Sequence, residues 1–144
     1  MKSDKNYIKF KVLYNVIHNL KNQWDEGCDY EKSSIETIIG AGIFYLPKTK
    51  LTFSGLISEQ ARLIDKKLWV IEHQYPRKIA AYMLMSTPPT SIEELIESYN
   101  TRYGIWNYVT KKENVNLKKF QNISNFISPN EAYKLANVKL IKLD

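Results

Sequence analysis

Apolar residues recur at steps of three and four near the start of the chain: Tyr7, Phe10, Leu13, Tyr14, Ile17, Leu20 and Trp24. That period predicts an amphipathic helix over 7–24, ended by Asp25-Glu26-Gly27. A second helix is expected from Ser33, because Ser33-Ser34-Ile35-Glu36 has the spacing of a capping box, and it should run to about Gly40 or Gly42. The stretch "FYLPKTKLTFSG" carries Pro47 and Gly55 as breakers and reads as a short hairpin or a loop. Residues 58–65 read as a short helix.

From 68 to 75 the pattern changes to bulky, apolar and strand-like. A helix over 77–85 follows Pro76, and "STPPTS" breaks the chain. Ser91 opens another capping box and a helix to about Tyr103, closed by Gly104 as a C′ glycine. "IWNYV" is β-prone. Thr110-Lys111-Lys112-Glu113 is a third capping box, and its helix reaches about Phe120 with Val115 and Leu117 as the buried side. Ser128-Pro129-Asn130-Glu131 starts a last helix, with proline at the first helical position, that ends near Asn137 before the β-prone "VKLIKL". The expected fold is α+β and mostly helical, one domain over 1–144. Near its centre the order is strand, inserted helices, strand, helix.

Composition narrows the class. A chain of 144 residues, 44% apolar, suits one domain with a real core. Its longest apolar run, "IIGAGIFYL", falls well short of the roughly 20 residues of a membrane span. No apolar stretch follows the basic start, so a signal peptide is not expected. Cys28 has no partner in the chain, which fits a reducing, cytoplasmic setting and excludes a four-cysteine zinc knuckle. The net charge of +6 is uneven: residues 105–144 hold seven lysines and three acids, whereas 27–104 are balanced. Such a surplus favours a polyanionic partner.

Candidate chemistry centres on "LWVIEHQYPRK", where Glu72 and His73 follow an apolar run. Histidine is the side chain best placed to take a proton near neutral pH. Strand neighbours point to opposite faces, so the pair serves one site only where the strand ends or bends, as Pro76 allows. A second contribution is expected from the helix opened by Thr110. Its fourth position, often apolar, is Asn114, and that side chain is expected to project toward the strand end.

"EHQYPRK" followed by "YVTKKENVNL" resembles the HNH, or ββα-metal (His-Me finger), nucleases, and small phage and plasmid proteins with "EHxxP" and a later "VTxxE". The resemblance covers about 50 residues, from Leu68 to Leu117, and places a nuclease core over 68–120. It implies a ββα-metal-like core in which a two-stranded ribbon packs on a helix. It also implies that His73 is the general base, that Glu72 and Asn114 are ligands to Mg²⁺ (or Mn²⁺), and that residues 77–103 are a helical insertion. The chain departs from the pattern in that insertion, in lacking cysteine knuckles, and in carrying Glu where Asp is commoner.

The leading expectation is a metal-dependent endonuclease acting on DNA in preference to RNA. In it, Arg77 braces the phosphate, and Lys78, Lys111, Lys112, Lys118 and Lys119 contact the backbone. Sequence specificity would call for a homodimer. Two alternatives stand beside it: a non-catalytic basic nucleic-acid-binding accessory protein, and a module whose basic face meets an acidic protein. The bland readings are an exposed strand end for Glu72-His73, helix-start charges for Arg77 and Lys78, a solvated face for the four lysines, and core positions for Trp69, Trp106 and Tyr108.

Overall fold

The computed structural model describes residues 4–47 and 52–144. The first helix, α1 (Lys5–Glu26), starts at Asp4, whose carboxylate accepts from the Asn6 amide, and buries Phe10, Leu13, Ile17 and Trp24 on one stripe. The second, α2 (Asp29–Phe44), begins at Cys28, a full turn before the serine expected to cap it. The helical ladder is already under way at Lys32, whose amide donates to the Cys28 carbonyl, so Ser33 is an interior position, and Glu36 has another partner. Its carboxylate is buried and accepts from Trp24 Nε1 at 2.9 Å, so it does not reach back to close a box at Ser33. Asp29 and Glu31 instead place negative charge in the first turn.

A strand, β1 (Phe53–Ser58), follows; residues 48–51 of the stretch expected to form a hairpin or loop lie outside the described residues. Ser58 then caps the short α3 (Glu59–Arg62). A 3₁₀ turn at Lys66–Leu68 leads into β2 (Val70–His73), and the chain turns at Pro76 into α4 (Arg77–Ser86). Next come α5 (Ile92–Ser98), capped by Ser91, and a π-helical turn at Tyr99–Tyr103. They are followed by β3 (Trp106–Val109) and α6 (Lys111–Leu117), where Thr110 and Glu113 form the expected reciprocal capping box. Finally α7 (Pro129–Leu135) has Pro129 in its first turn, and β4 is Leu140–Lys142.

The strands form one mixed sheet in the order β2-β3-β1-β4, with β2 antiparallel to β3, β1 parallel to β3, and β4 antiparallel to β1. Four positions of β1 span two of β3 between Phe53 and Ile57, and Gly55 sits in that jump at φ +79°. A glycine takes that left-handed conformation without steric cost.

Two apolar clusters hold the molecule together. In one, α1, α2, α4 and α5 enclose Ile17, Ile39, Met85 and Leu95. In the other, Val109 and Leu117 meet Ala132, Tyr133 and Val138. Helix α6 buries Glu113 and Leu117, one turn apart, and turns Val115 outward at 55% exposure, contrary to the expected Val115–Leu117 side. A step of two residues crosses a helix to its other side. Trp69, Trp106 and Tyr108 belong to neither cluster and are half-buried.

Gly104 differs from its expected role as a left-handed cap: its φ is −94°. It is needed for space, since a Cβ there would lie 2.7 Å from Tyr99 Cζ and 2.8 Å from the Tyr99 carbonyl oxygen. Gly104→Ala should therefore destabilise the protein by about 1–3 kcal/mol through overpacking against a buried ring. Urea denaturation checks this; a midpoint equal to the wild type would show that the π-helical turn relaxes freely.

Candidate functional site

β2 is an edge strand that stops at His73, and the chain swings through Pro76 into α4. That turn creates one wall of a cavity of about 510 Å³. Ile71, Glu72 and His73 line it from the strand, and Pro76, Arg77 and Lys78 from the start of α4. Glu36, Thr37, Gly40 and Ala41 line it from α2, and Asn114, Lys118 and Gln121 from α6 and the segment after it. The cavity thus lies between the helical cluster and the sheet with its C-terminal helices. Asn114, at the fourth helical position after Thr110, is brought to the same cavity as Glu72 and His73.

Glu72 and His73 enter the cavity from different sides of the strand. Register pairs Glu72 with Asn107 and His73 with Trp106, so the two side chains leave opposite faces. They share a cavity because nothing pairs with the outer edge of β2 among the described strands.

Glu72 is 3% exposed. Tyr133 OH donates to its Oε2 at 2.7 Å, Asn107 Nδ2 to the same oxygen at 3.4 Å, and Gln121 Nε2 to Oε1 at 2.9 Å. Burial pushes the carboxyl up from about 4.5 to about 7, while these three donors pull it the other way. Tyr133 is raised as well, by burial first and then by the neighbouring carboxylate, so it stays a neutral phenol that donates. Asn107 continues the network by donating to the Tyr133 hydroxyl at 2.8 Å and accepting from Gln74 Nε2 and Ser54 Oγ.

The cavity gathers cations. Arg77 and Lys78 occupy the first turn of α4, Lys118 faces them from beyond α6, and Lys78 Nζ donates to Ser33 Oγ at 2.7 Å. Arg77 also lies over the Phe44 ring at 4.7 Å. The N-cap residue, Pro76, offers no side-chain hydrogen bond, and no acid occupies the first turn of α4. The first amide groups and the positive end of the helix dipole thus border the cavity together with Arg77, Lys78 and Lys118, opposite the carboxylates of Glu36 and Glu72. Lys111, Lys112 and Lys119 are exposed and do not line the cavity.

A metal finds a sparse donor set. Among the described residues, no three His, Cys, Asp or Glu side chains cluster as ligands. A carboxylate has about four acceptor positions, and Glu72 already accepts from Tyr133, Asn107 and Gln121. Among the described residues, the oxygen donors left at the cavity include one position on Glu72, the Asn114 amide oxygen and the Glu36 carboxylate beyond its bond from Trp24. Mg²⁺ keeps several waters and takes one or two carboxylates with substrate phosphate oxygens. The set therefore suits a hydrated ion that arrives with phosphate better than one caged by protein.

Glu36, Gln121 and Tyr133 were not singled out by sequence reasoning. Glu36 carried a signal that pointed elsewhere, the capping-box spacing. Gln121 and Tyr133 meet Glu72 through contacts far along the chain, which no local pattern encodes.

No protein-family model matches the chain, and neither a curated protein nor a solved structure matches it.

Glu72→Gln should flatten the pH dependence of stability between about 4.5 and 7. Below that window the carboxyl is protonated in folded and unfolded chains alike; above it the folded state holds a buried charge. The raised pKa thus makes stability fall as pH rises through the window, by on the order of 3 kcal/mol for this group. Urea midpoints at both ends of the window test this. A variant that loses as much stability as the wild type would remove Glu72 as the source.

Proposed function

We propose that the chain is a metal-dependent phosphodiesterase of the HNH-like kind, an endonuclease that favours DNA, with its active site in the cavity beside β2. One observation carries the reading: His73, Glu72, Asn114, Arg77, Lys78 and Lys118 line the same cavity. The start of α4 adds amide donors for a phosphate.

In this reading the scissile phosphate sits against the first turn of α4. Arg77 presents its guanidinium to the non-bridging oxygens, and Lys78 and Lys118 hold the flanking backbone. His73 takes a proton from the attacking water. Glu72 and Asn114 are the oxygen donors that would hold Mg²⁺ or Mn²⁺, whose chemistry when bound is to relieve charge on the phosphate and the leaving oxygen. Tyr133, Asn107 and Gln121 orient Glu72 from behind.

The hydrogen-bonded state of Glu72 favours a second reading, in which the same cavity grips phosphate without cleaving it and the chain is a nucleic-acid-binding accessory protein. Cleavage of supercoiled plasmid and short duplexes, with and without EDTA, separates the two. Under the first reading, cleavage needs the metal, and His73→Ala lowers its rate by about 10²–10⁴-fold with DNA binding retained. Glu72→Ala and Asn114→Ala recover part of their activity at high Mg²⁺ or with Mn²⁺, and Arg77→Ala is milder than His73→Ala. Cleavage that persists in EDTA, or full activity in His73→Ala, would sink this assignment.

The lysines give an independent measurement. Replacing Lys111, Lys112, Lys118 and Lys119 with Ala should weaken DNA binding for all sequences. It should also lower the slope of log K against log salt by about 0.9 for each phosphate that is no longer neutralised. An unchanged slope in anisotropy titrations would take this surface out of the interface.

A further inference from the structure

The sheet has a second side. Register sets His73, Trp106 and Phe53 in one row across β2, β3 and β1, with Ile71, Tyr108 and Ile57 in the next. These side chains leave the face opposite Glu72 and Asn107. Phe53 and Trp106 stack with centroids 4.5 Å apart and planes 29° apart. Tyr108 lies 5.1 Å from Trp106, and Trp69 lies 5.1 Å from Tyr108. The face is closed at its Ile57 end, where Ile57 and Ala61 of α3 are both fully buried. Phe53, Trp69, Trp106 and Tyr108 keep part of their surface in solvent, and Ile71 is 40% exposed.

A solvated sheet face ordinarily alternates toward polar residues. This one carries four clustered rings, and its two rows contain no acid, since Glu72 points the other way. Cations flank it at both ends. Lys66 Nζ lies 6.0 Å from the Trp69 centroid, and Arg77 and Lys118 lie in the cavity reached past Ile71 and His73. Of the acids near α3, Asp65 accepts from the Lys67 amide and Glu59 pairs with Lys139.

We propose that this aromatic face binds an unpaired DNA strand, whose bases stack on Trp106, Phe53 and Tyr108 and whose backbone crosses the β2 edge into the cavity. The proposal rests on the reading of that cavity as a phosphate site and specifies its substrate. Half-buried rings beside a cationic groove can serve a single strand, because every base has a stacking face and unpaired bases leave it open. Trp106 and Tyr108 meet edge to face, their planes 81° apart, so the two rings turn differently oriented surfaces to a strand. Ile71 and His73 belong both to the sheet rows and to the cavity wall, which makes the two surfaces continuous. Both indole N–H groups of the face are engaged within the protein, Trp69 Nε1 with the Ala61 carbonyl and Trp106 Nε1 with Thr52 Oγ1. Ring faces stack on the bases of either backbone, so the preference for DNA over RNA is taken from the reading of the adjoining cavity.

The test is anisotropy of a labelled oligothymidine of about 12 nucleotides in EDTA, so that binding is read without cleavage. The expected result is at least tenfold tighter binding of the single strand than of a duplex of equal length. Trp106→Ala and Phe53→Leu should each weaken it about tenfold, whereas Trp106→Tyr should retain it. Phe53→Leu keeps apolar bulk, and an unchanged melting temperature in that variant separates a missing stacking surface from a damaged fold. Equal affinity for duplex, indifference to both ring variants, or oligouridine bound more than tenfold tighter than oligothymidine would each overturn the proposal. So would concentration-dependent self-association abolished by the same variants, which would make the face an interface between copies. Mg²⁺-dependent cleavage of duplex alongside any of those results would leave the phosphodiesterase reading standing. Ring-dependent binding without cleavage would leave this inference and remove that one.

Discussion

The Glu72 carboxyl is where β2, β3, α7 and the segment after α6 meet. A carboxylate taken from water needs donors, and an unpaired one is expensive. Its donors come from Tyr133, Asn107 and Gln121, on three separate parts of the chain. They converge only when α7 is docked on the sheet and the chain after α6 is folded back over the edge strand. A single buried acid therefore makes the C-terminal helices and the sheet edge interdependent. Asn107 extends the dependence to Ser54 and Gln74, across β1 and the end of β2. The carboxyl that results titrates near neutrality rather than near 4.5.

The cavity follows from that arrangement. One wall is the strand whose Glu72 is tied inward; the opposite wall is α2 and α4, held by their own apolar cluster. Neither cluster fills the space between them. What lines it is what neither cluster could use: Arg77 and Lys78 at a helix start, Lys118, the half-buried Asn114, and a histidine at the end of an edge strand. Alternation along β2 then divides the chemistry. Glu72 turns into the polar network, and His73 leaves toward the aromatic side, so the strand edge joins a charged cavity to a ring-covered face.

Much of the local structure was legible in the chain. Period-three-and-four spacing marked α1, because burial on one stripe is what fixes a long helix. Serine and threonine at Ser91, Thr110 and Ser128 marked helix starts, since each hydroxyl answers an orphan amide of its own first turn. The dipeptide Glu72-His73 and the polar Asn114 singled themselves out by breaking apolar patterns. Where such signals misled, a distant partner had intervened. Glu36 was claimed by Trp24 rather than Ser33, and Gly104 makes room for the Tyr99 ring instead of adopting a left-handed cap.

The sequence by itself determined the starts of α4 to α7, the strand that ends in Glu-His, the α+β order and the basic C-terminal surplus, because these are written in residue types and local spacing. Tertiary structure alone decided which side chains meet. That Glu72 and Asn114 share a cavity, that Gln121 and Tyr133 hold Glu72, and that Phe53 stacks on Trp106 all require strand register and helix docking. Those contacts join residues tens of positions apart, and they form only when the buried polar network and the two apolar clusters are satisfied together.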